Sequence, residues 1–377
     1  MSVAWERLID HIPQALHPVT LQFQQQRRQV FEETQQDFWY TATSPILSRF
    51  LSYSGCTQQQ QEEFLSFYYA SITPLLGLSP QQFSQRGMKP LSFLSDDHTP
   101  VEFIWVIEGD GTSSIRFAMD TLAHDGTPLP AKHCQQMLQS LRKVGCVKSF
   151  DSTWTDVCHE TLLCSSSTAS TSQFFFGGDF APTGMVGKVY YLPHARAQIT
   201  GESEDQLVTE CMARLGLSVG WNAVLSYMSS LPAETRPSTE MVSVDCLESS
   251  RNRLKVYFRA RDRTLSGIEQ HMTLGGALDG EAVQNTLRVV RNLWGFLFPG
   301  VGRDQPLSPR ADKAFLPGFL IYYEMKLGNP TPFPKVYIPV RQYCESDSQI
   351  IDGVSRYLAS LNISVRRDYA SEVKRLL

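Results

Sequence analysis

"GKVYYLP" (187–193), "LKVYFRA" (254–260) and "PKVYIPV" (334–340) place Lys-Val-Tyr three times in one chain, each time inside a strand-like run. In a β-strand, residues two apart point to the same side. Lys188 and Tyr190 therefore share a face, as do Lys255 and Tyr257, and Lys335 and Tyr337. Arg253 extends the middle copy to "RLKVY" on that same face, and Arg116 in "SIRFAM" holds the comparable second-strand position of an earlier pair.

Each copy is the second strand of a pair. "SQFFFGGDF" precedes "MVGKVYYLP", "TEMVSVDCL" precedes "NRLKVYFRA", and "PGFLIYYEMKL" precedes "PKVYIPV". A fourth pair, "TPVEFIWVIEG" and "TSSIRFAMD", is split by Asp-Gly, a hairpin signal. Helical intervals near 130–145, 205–230 and 281–298 separate the pairs. Upstream, residues 20–85 read as helical. "TSPILSRFLSYSG" spaces its apolar residues by three and four and ends at Gly55. Thr57 is a candidate N-cap for the next run, with Phe64, Leu65, Tyr68 and Ile72 on one face and the glutamines on a solvated one.

The unit is thus helix, strand, strand, helix, repeated about every 65 to 85 residues. Four antiparallel pairs can close on themselves with the helices outside, which removes edge strands and leaves room for small ligands. The expected class is α+β, an antiparallel β-barrel of αββα units. One domain is expected over 1–377: N-terminal helices to about 90, strand pairs from about 100 to 345, and a short segment 346–377.

Composition excludes several function classes. The 377 residues carry 34 basic and 38 acidic side chains, a net charge of −4, so no electrostatic case exists for nucleic acid or an anionic membrane. No apolar run approaches the roughly 20 residues a membrane span needs. Eight scattered cysteines show neither CxxC nor metal-ligand spacing, and the first residues lack a signal-peptide pattern. A cytoplasmic protein with reduced thiols is expected.

If the Lys-x-Tyr faces line a barrel, Arg116, Lys188, Arg253, Lys255 and Lys335 converge on one cavity. Unpaired buried cations are costly, so such a cluster calls for a polyanion. A diphosphate fits, since arginine grips phosphate bidentately and lysine acts as a point charge. Tyr190, Tyr257 and Tyr337 add π-faces, worth about 0.5–2 kcal/mol each beside a cation. An outward-facing ring of Lys-x-Tyr on an unrelated scaffold is the alternative.

Together, "TPVEFIW", "IRFAMD", "GKVYYLPHARAQITG", "VSVDCLESSRNRLKVYFR" and "YYEMKLGNPTPFPKVYIPV" resemble the fungal aromatic prenyltransferases of the dimethylallyltryptophan synthase family, over roughly residues 35 to 345. That resemblance implies a barrel whose lumen holds dimethylallyl diphosphate and an indole or other electron-rich aromatic acceptor in alkaloid metabolism. By residue, it implies diphosphate contacts from Arg116, Lys188, Tyr190, Arg253, Lys255, Tyr257, Lys335 and Tyr337. Tyr190, Tyr257 and Tyr337 would shield the allylic cation. Glu102 would accept the indole N–H and steady the charge developing on the ring, with Leu94 beside the acceptor. No metal and no other cofactor is implied, and a homodimer is left open.

Two departures qualify the resemblance. Members acting on free tryptophan carry a lysine on the strand before "KVY", whereas no lysine occurs here between Lys148 and Lys188. Phe174, Phe175 and Phe176 on that strand suit a bulkier apolar acceptor. Members also continue through a fifth strand pair, whereas "LNISVRRDYASEVKRLL" offers at most one short strand and a helical turn. A non-catalytic barrel that binds a prenyl diphosphate or apolar metabolite is therefore the second expectation.

Other motifs are decoys. Asp96 and Asp97 lack the third aspartate of a magnesium-binding DDxxD, and "GMVGKV" lacks the Ser or Thr of a phosphate loop. His194 has no nucleophile motif, Trp221 reads as helix packing, and Asp245 and Cys246 read as strand residues without chemistry.

Overall fold

The computed structural model describes residues 34–95, 97–141, 144–147, 150–164, 171–310, 318–363 and 368–375. Its strands are β1 (Val101–Ile107), β2 (Ser113–Asp120), β3 (Phe174–Ala181), β4 (Gly184–Tyr191), β5 (Ser238–Asp245), β6 (Leu254–Ala260), β7 (Phe319–Lys326) and β8 (Asn329–Tyr337). They form one antiparallel sheet in sequence order. The helices of ten residues or more are α1 (Gln35–Tyr53), α2 (Gln58–Phe67), α3 (Lys132–Leu141), α4 (Thr153–Leu162), α5 (Glu204–Arg214), α6 (Ser218–Ser230), α7 (Glu281–Leu297) and α8 (Asp347–Ser360).

Alternation explains why the sheet curls with the helices outside. In β6, Leu254, Val256, Phe258 and Ala260 are buried on the outer face, while Lys255, Tyr257 and Arg259 point inward. β4 repeats the pattern, with Val189 and Tyr191 outward and Lys188 and Tyr190 inward. Apolar residues seek the helix layer, and the polar parity is left facing a lumen. Trp221 of α6 lies in the outer layer, stacked on Phe258 at 6.1 Å and donating to Thr209 Oγ1, so it is packing. Gly177 lets β2 and β3 approach: a Cβ there would lie 2.6 Å from the Phe117 carbonyl oxygen.

At the N-terminal end, Thr57 closes a full capping box with Gln60, and Gln58 and Gln59 reach Glu62 and Glu63 on the solvated face. Gly55 takes a φ of 78° where α1 ends. Residues 20–33 of the helical expectation lie outside the described residues.

Within "LNISVRRDYASEVKRLL" the described residues hold one short helix, Tyr369–Lys374, as the expected helical turn; residues 364–367 lie outside the described residues. Ahead of that stretch, residues 347–360 form a fourteen-residue helix that the sequence reading did not anticipate. Ser346 caps it, and Ile350, Ile351, Tyr357 and Leu358 return at helical spacing to a buried face. Among the described residues no ladder joins β1 to β8.

Candidate active site

Strand register decides which side chains meet. Glu102 pairs with Ala118, Arg116 with Asp179, Gly177 with Lys188, and Lys188 with Asp245. Ser243 pairs with Lys255, Lys255 with Glu324, and Tyr322 with Lys335. Partners across a ladder share a face, so every candidate strand residue points into one lumen. The outward-facing alternative fails on this register.

The cations are not unpaired. Arg116 lies 3.2 Å from Asp179, and Lys188 lies 3.1 Å from Asp179 and 3.6 Å from Asp245. Asp245 also takes Lys255 at 3.2 Å and Arg253 at 2.9 Å. Arg253 continues to Glu324 at 3.2 Å, where Lys335 stands at 3.9 Å. With Lys326 also 3.2 Å from Glu324, the five candidate cations and this exposed lysine share three carboxylates. The sequence reading of Asp245 as a residue without chemistry is corrected: it is the hub of the cluster.

Electrostatics follow from this packing. Burial pushes the Asp245 carboxyl up, but Lys255, Lys188 and Arg253 together hold it well below the usual carboxylate range. Burial, with Lys188 and Arg253 beside it, pushes Lys255 down to about 7 although Asp245 pulls the other way. Lys335 is lowered too, by burial first. The cluster holds more positive charge than its carboxylates match, and an anion relieves that excess.

Next to the cations stands a layer of tyrosines. Tyr190 and Tyr257 have ring centroids 6.3 Å apart, Tyr257 and Tyr322 4.7 Å, and Tyr322 and Tyr337 5.7 Å. Lys335 Nζ sits 5.8 Å from the centre of the Tyr322 ring. Tyr322 is a member that the motif count missed, because only the ladder shows that it faces Lys335. Burial raises the phenol pKa of Tyr190, Tyr257 and Tyr337, so these rings are neutral near pH 7.

Beyond the tyrosines a cavity of about 770 Å³ opens, lined by Leu94, Glu102, Phe175, Tyr190, Tyr257 and Tyr337 among others. Glu102 and Tyr337 keep accessible surface where they line the cavity, and burial raises the Glu102 carboxyl above its ordinary value. Leu94 is carried on a loop pinned by Ser95 to Asp97, by His98 to the Ser92 carbonyl, and by Phe93 against Phe175 at 5.2 Å. Of Phe174, Phe175 and Phe176 on β3, only Phe175 lines the cavity; Phe174 and Phe176 are buried in the outer layer. The three-phenylalanine acceptor wall therefore reduces to one ring.

Asp120 ends β2 beside Phe175. It is buried, accepts a 2.6 Å bond from Ser172, and is raised by burial to about 6. His194 binds Glu204 at 2.9 Å on the surface. Asp97 is held in its turn, Asp96 lies outside the described residues, and no three metal-ligating side chains cluster among the described residues.

The family model described as tryptophan dimethylallyltransferase matches residues 35–373. The chain belongs to that family. It is an aromatic prenyltransferase by that membership. It is 28% identical over 341 residues to the 4-O-dimethylallyl-L-tyrosine synthase of Claviceps purpurea, covering 85% of this chain and 75% of the relative. It is also 28% identical over 367 residues to a 7-dimethylallyltryptophan synthase of Aspergillus fumigatus, covering 90% and 77%. Among solved structures, NotF in complex with brevianamide F and DMSPP superposes with a TM-score of 0.76 at 21% identity, over 93% of this chain and 88% of that one. AnaPT from Neosartorya fischeri gives 0.74 at 16%, over 95% and 88%. These two likenesses establish the prenyltransferase barrel fold.

Proposed function

We propose that the protein transfers a dimethylallyl group from dimethylallyl diphosphate to an indole or comparable electron-rich ring in secondary metabolism. The observation that carries this reading is the single lumen in which five cations, a tyrosine layer and Glu102 follow one another. Arg116, Lys188, Arg253, Lys255 and Lys335 receive the diphosphate. The C–O bond then breaks, the electron pair leaves with the diphosphate, and the allylic cation lies against Tyr190, Tyr257 and Tyr337.

Glu102 accepts the ring N–H and stabilises the positive charge that develops as the ring attacks. Loss of a proton from the ring to water restores aromaticity. Side-chain cations, in place of a bound metal, neutralise the leaving group, so turnover persists in EDTA. One domain serves the whole reaction, because the cavity takes its walls from Ile46 of α1, from Glu102 and Tyr337, and from Ile350 of α8. All eight cysteines are free and buried, which supports a cytoplasmic location.

Product mass spectrometry tests the reading. The protein is incubated with dimethylallyl diphosphate and a panel of tryptophan, tyrosine, tryptophan-containing cyclic dipeptides and polycyclic phenols, with EDTA present. One acceptor heavier by a prenyl unit is expected. Diphosphate binding without product from any acceptor would replace the enzyme with a non-catalytic binding barrel.

A further inference from the structure

Strand direction divides the lumen into two ends. The starts of odd strands and the ends of even strands gather Glu102, Phe175, Tyr190, Tyr257 and Tyr337, and this is the cavity end. Its charged wall is unlike that of the cation cluster. Asp97, Glu102, Glu240 and Asp347 all line the cavity, against the guanidinium groups of Arg259 and Arg341. Arg259 is already occupied: its Nε lies 3.1 Å from Glu240, with both side chains half-buried. Arg341 is not without a partner either. A carboxylate brought into this space adds a like charge to an acidic wall, where Arg259 is already paired with Glu240. Beside low-dielectric protein walls such repulsion is screened less than in bulk water.

Resting on the prenyl-transfer reading, we propose that the acceptor site selects against aromatics with a free carboxylate. Its acceptor class is a neutral or amine-bearing indole-type ring whose carboxyl is missing or tied up as an amide or ester. Glu240 sets that preference by occupying Arg259, the guanidinium that would otherwise receive a carboxylate. Glu240 lies at the start of β5 and is itself none of the residues assigned to donor binding or to Glu102 chemistry.

L-tryptophan, L-tryptophanamide and tryptamine share one ring and differ only in this charge, so they are the probes. With dimethylallyl diphosphate as donor, kcat/KM for the amide and the amine is expected to exceed that for tryptophan by tenfold or more. Glu240→Gln frees Arg259 and is expected to lower the KM for tryptophan severalfold while leaving kcat for the amide near its wild-type value. Calorimetric binding of the same three compounds, with inorganic diphosphate present, reads the same order without turnover. If no acceptor is prenylated, the proposed reaction falls and the binding order still decides the acceptor class. Tryptophan bound or used best by the wild type overturns the proposal, most directly if Arg341→Gln abolishes that advantage. An order that Glu240→Gln leaves unmoved removes Glu240 from the role.

Discussion

The two ends of the lumen use the same eight strands and solve opposite problems. At the cation end, side chains of both signs are packed so closely that Asp245 serves three partners and Lys255 is driven toward neutrality. At the cavity end, surface replaces density: aromatic and aliphatic walls line about 770 Å³, and Glu102 is one of the carboxylates among them. Ionising an allylic diphosphate needs fixed charge where the leaving group departs. A diffuse cation and an aromatic ring need polarisable surface where they meet.

The sharpest way to break this division is at the charged end. Arg253→Gln removes the guanidinium that bridges Asp245 and Glu324, and kcat/KM should fall by about 10²–10³. Circular dichroism should show the fold retained. Turnover near the wild-type rate would end the assignment of the diphosphate site. At the other end, Glu102→Gln keeps the shape and removes the charge. A loss of about 10² in kcat, with little change in donor KM, would show that the two ends act separately.

Two smaller effects refine the comparison. Asp245→Asn leaves Lys188, Lys255 and Arg253 without their shared carboxylate. The unliganded protein should lose about 3–5 kcal/mol of stability, while inorganic diphosphate should bind about tenfold tighter. Thermal melts with and without diphosphate measure both changes, and weaker binding would mean that Asp245 positions the cations rather than competing with the ligand. Tyr322→Phe should change kcat by no more than about threefold, because the ring face stays beside Lys335.

The pH dependence has a definite sign. Lys255 titrates near 7 in the folded protein against 10.5 for an ordinary lysine. The cost of burying its charge is therefore fully present below about pH 7 and is relieved as pH rises toward the ordinary value, so this group makes the unliganded protein more stable across that window. Diphosphate binding runs the other way. It needs the ammonium, so affinity should fall as pH rises above about 7, and Lys255→Met should remove that slope in a titration series.

Much of this molecule is legible in its sequence. Period-two alternation in "RLKVYFRA" forces Lys255 and Tyr257 to one side and Val256 and Phe258 to the other, whatever the rest of the chain does. The threefold repeat and the intervening helical periods then allow a curled sheet with helices outside. Glu102 and Leu94, in contrast, carry no local signal; family motifs pointed to them, and the cavity brings them together.

Other features belong to tertiary structure alone. Asp245 read as a strand residue without chemistry, and no local signal singles out Asp179 or Glu324, because a carboxylate's partners come from neighbouring strands, far away in sequence. Parity also allowed the triple phenylalanine two assignments, and only the ladder with β4 puts Phe175 inside and its neighbours outside. Periodicity is local and survives in one strand, so the sequence determined which side chains share a face, and the strand ladder decided that this face points inward. Charge balance is a sum over many strands, so only the folded chain decided which cations are held, and where the acceptor finds an acidic wall.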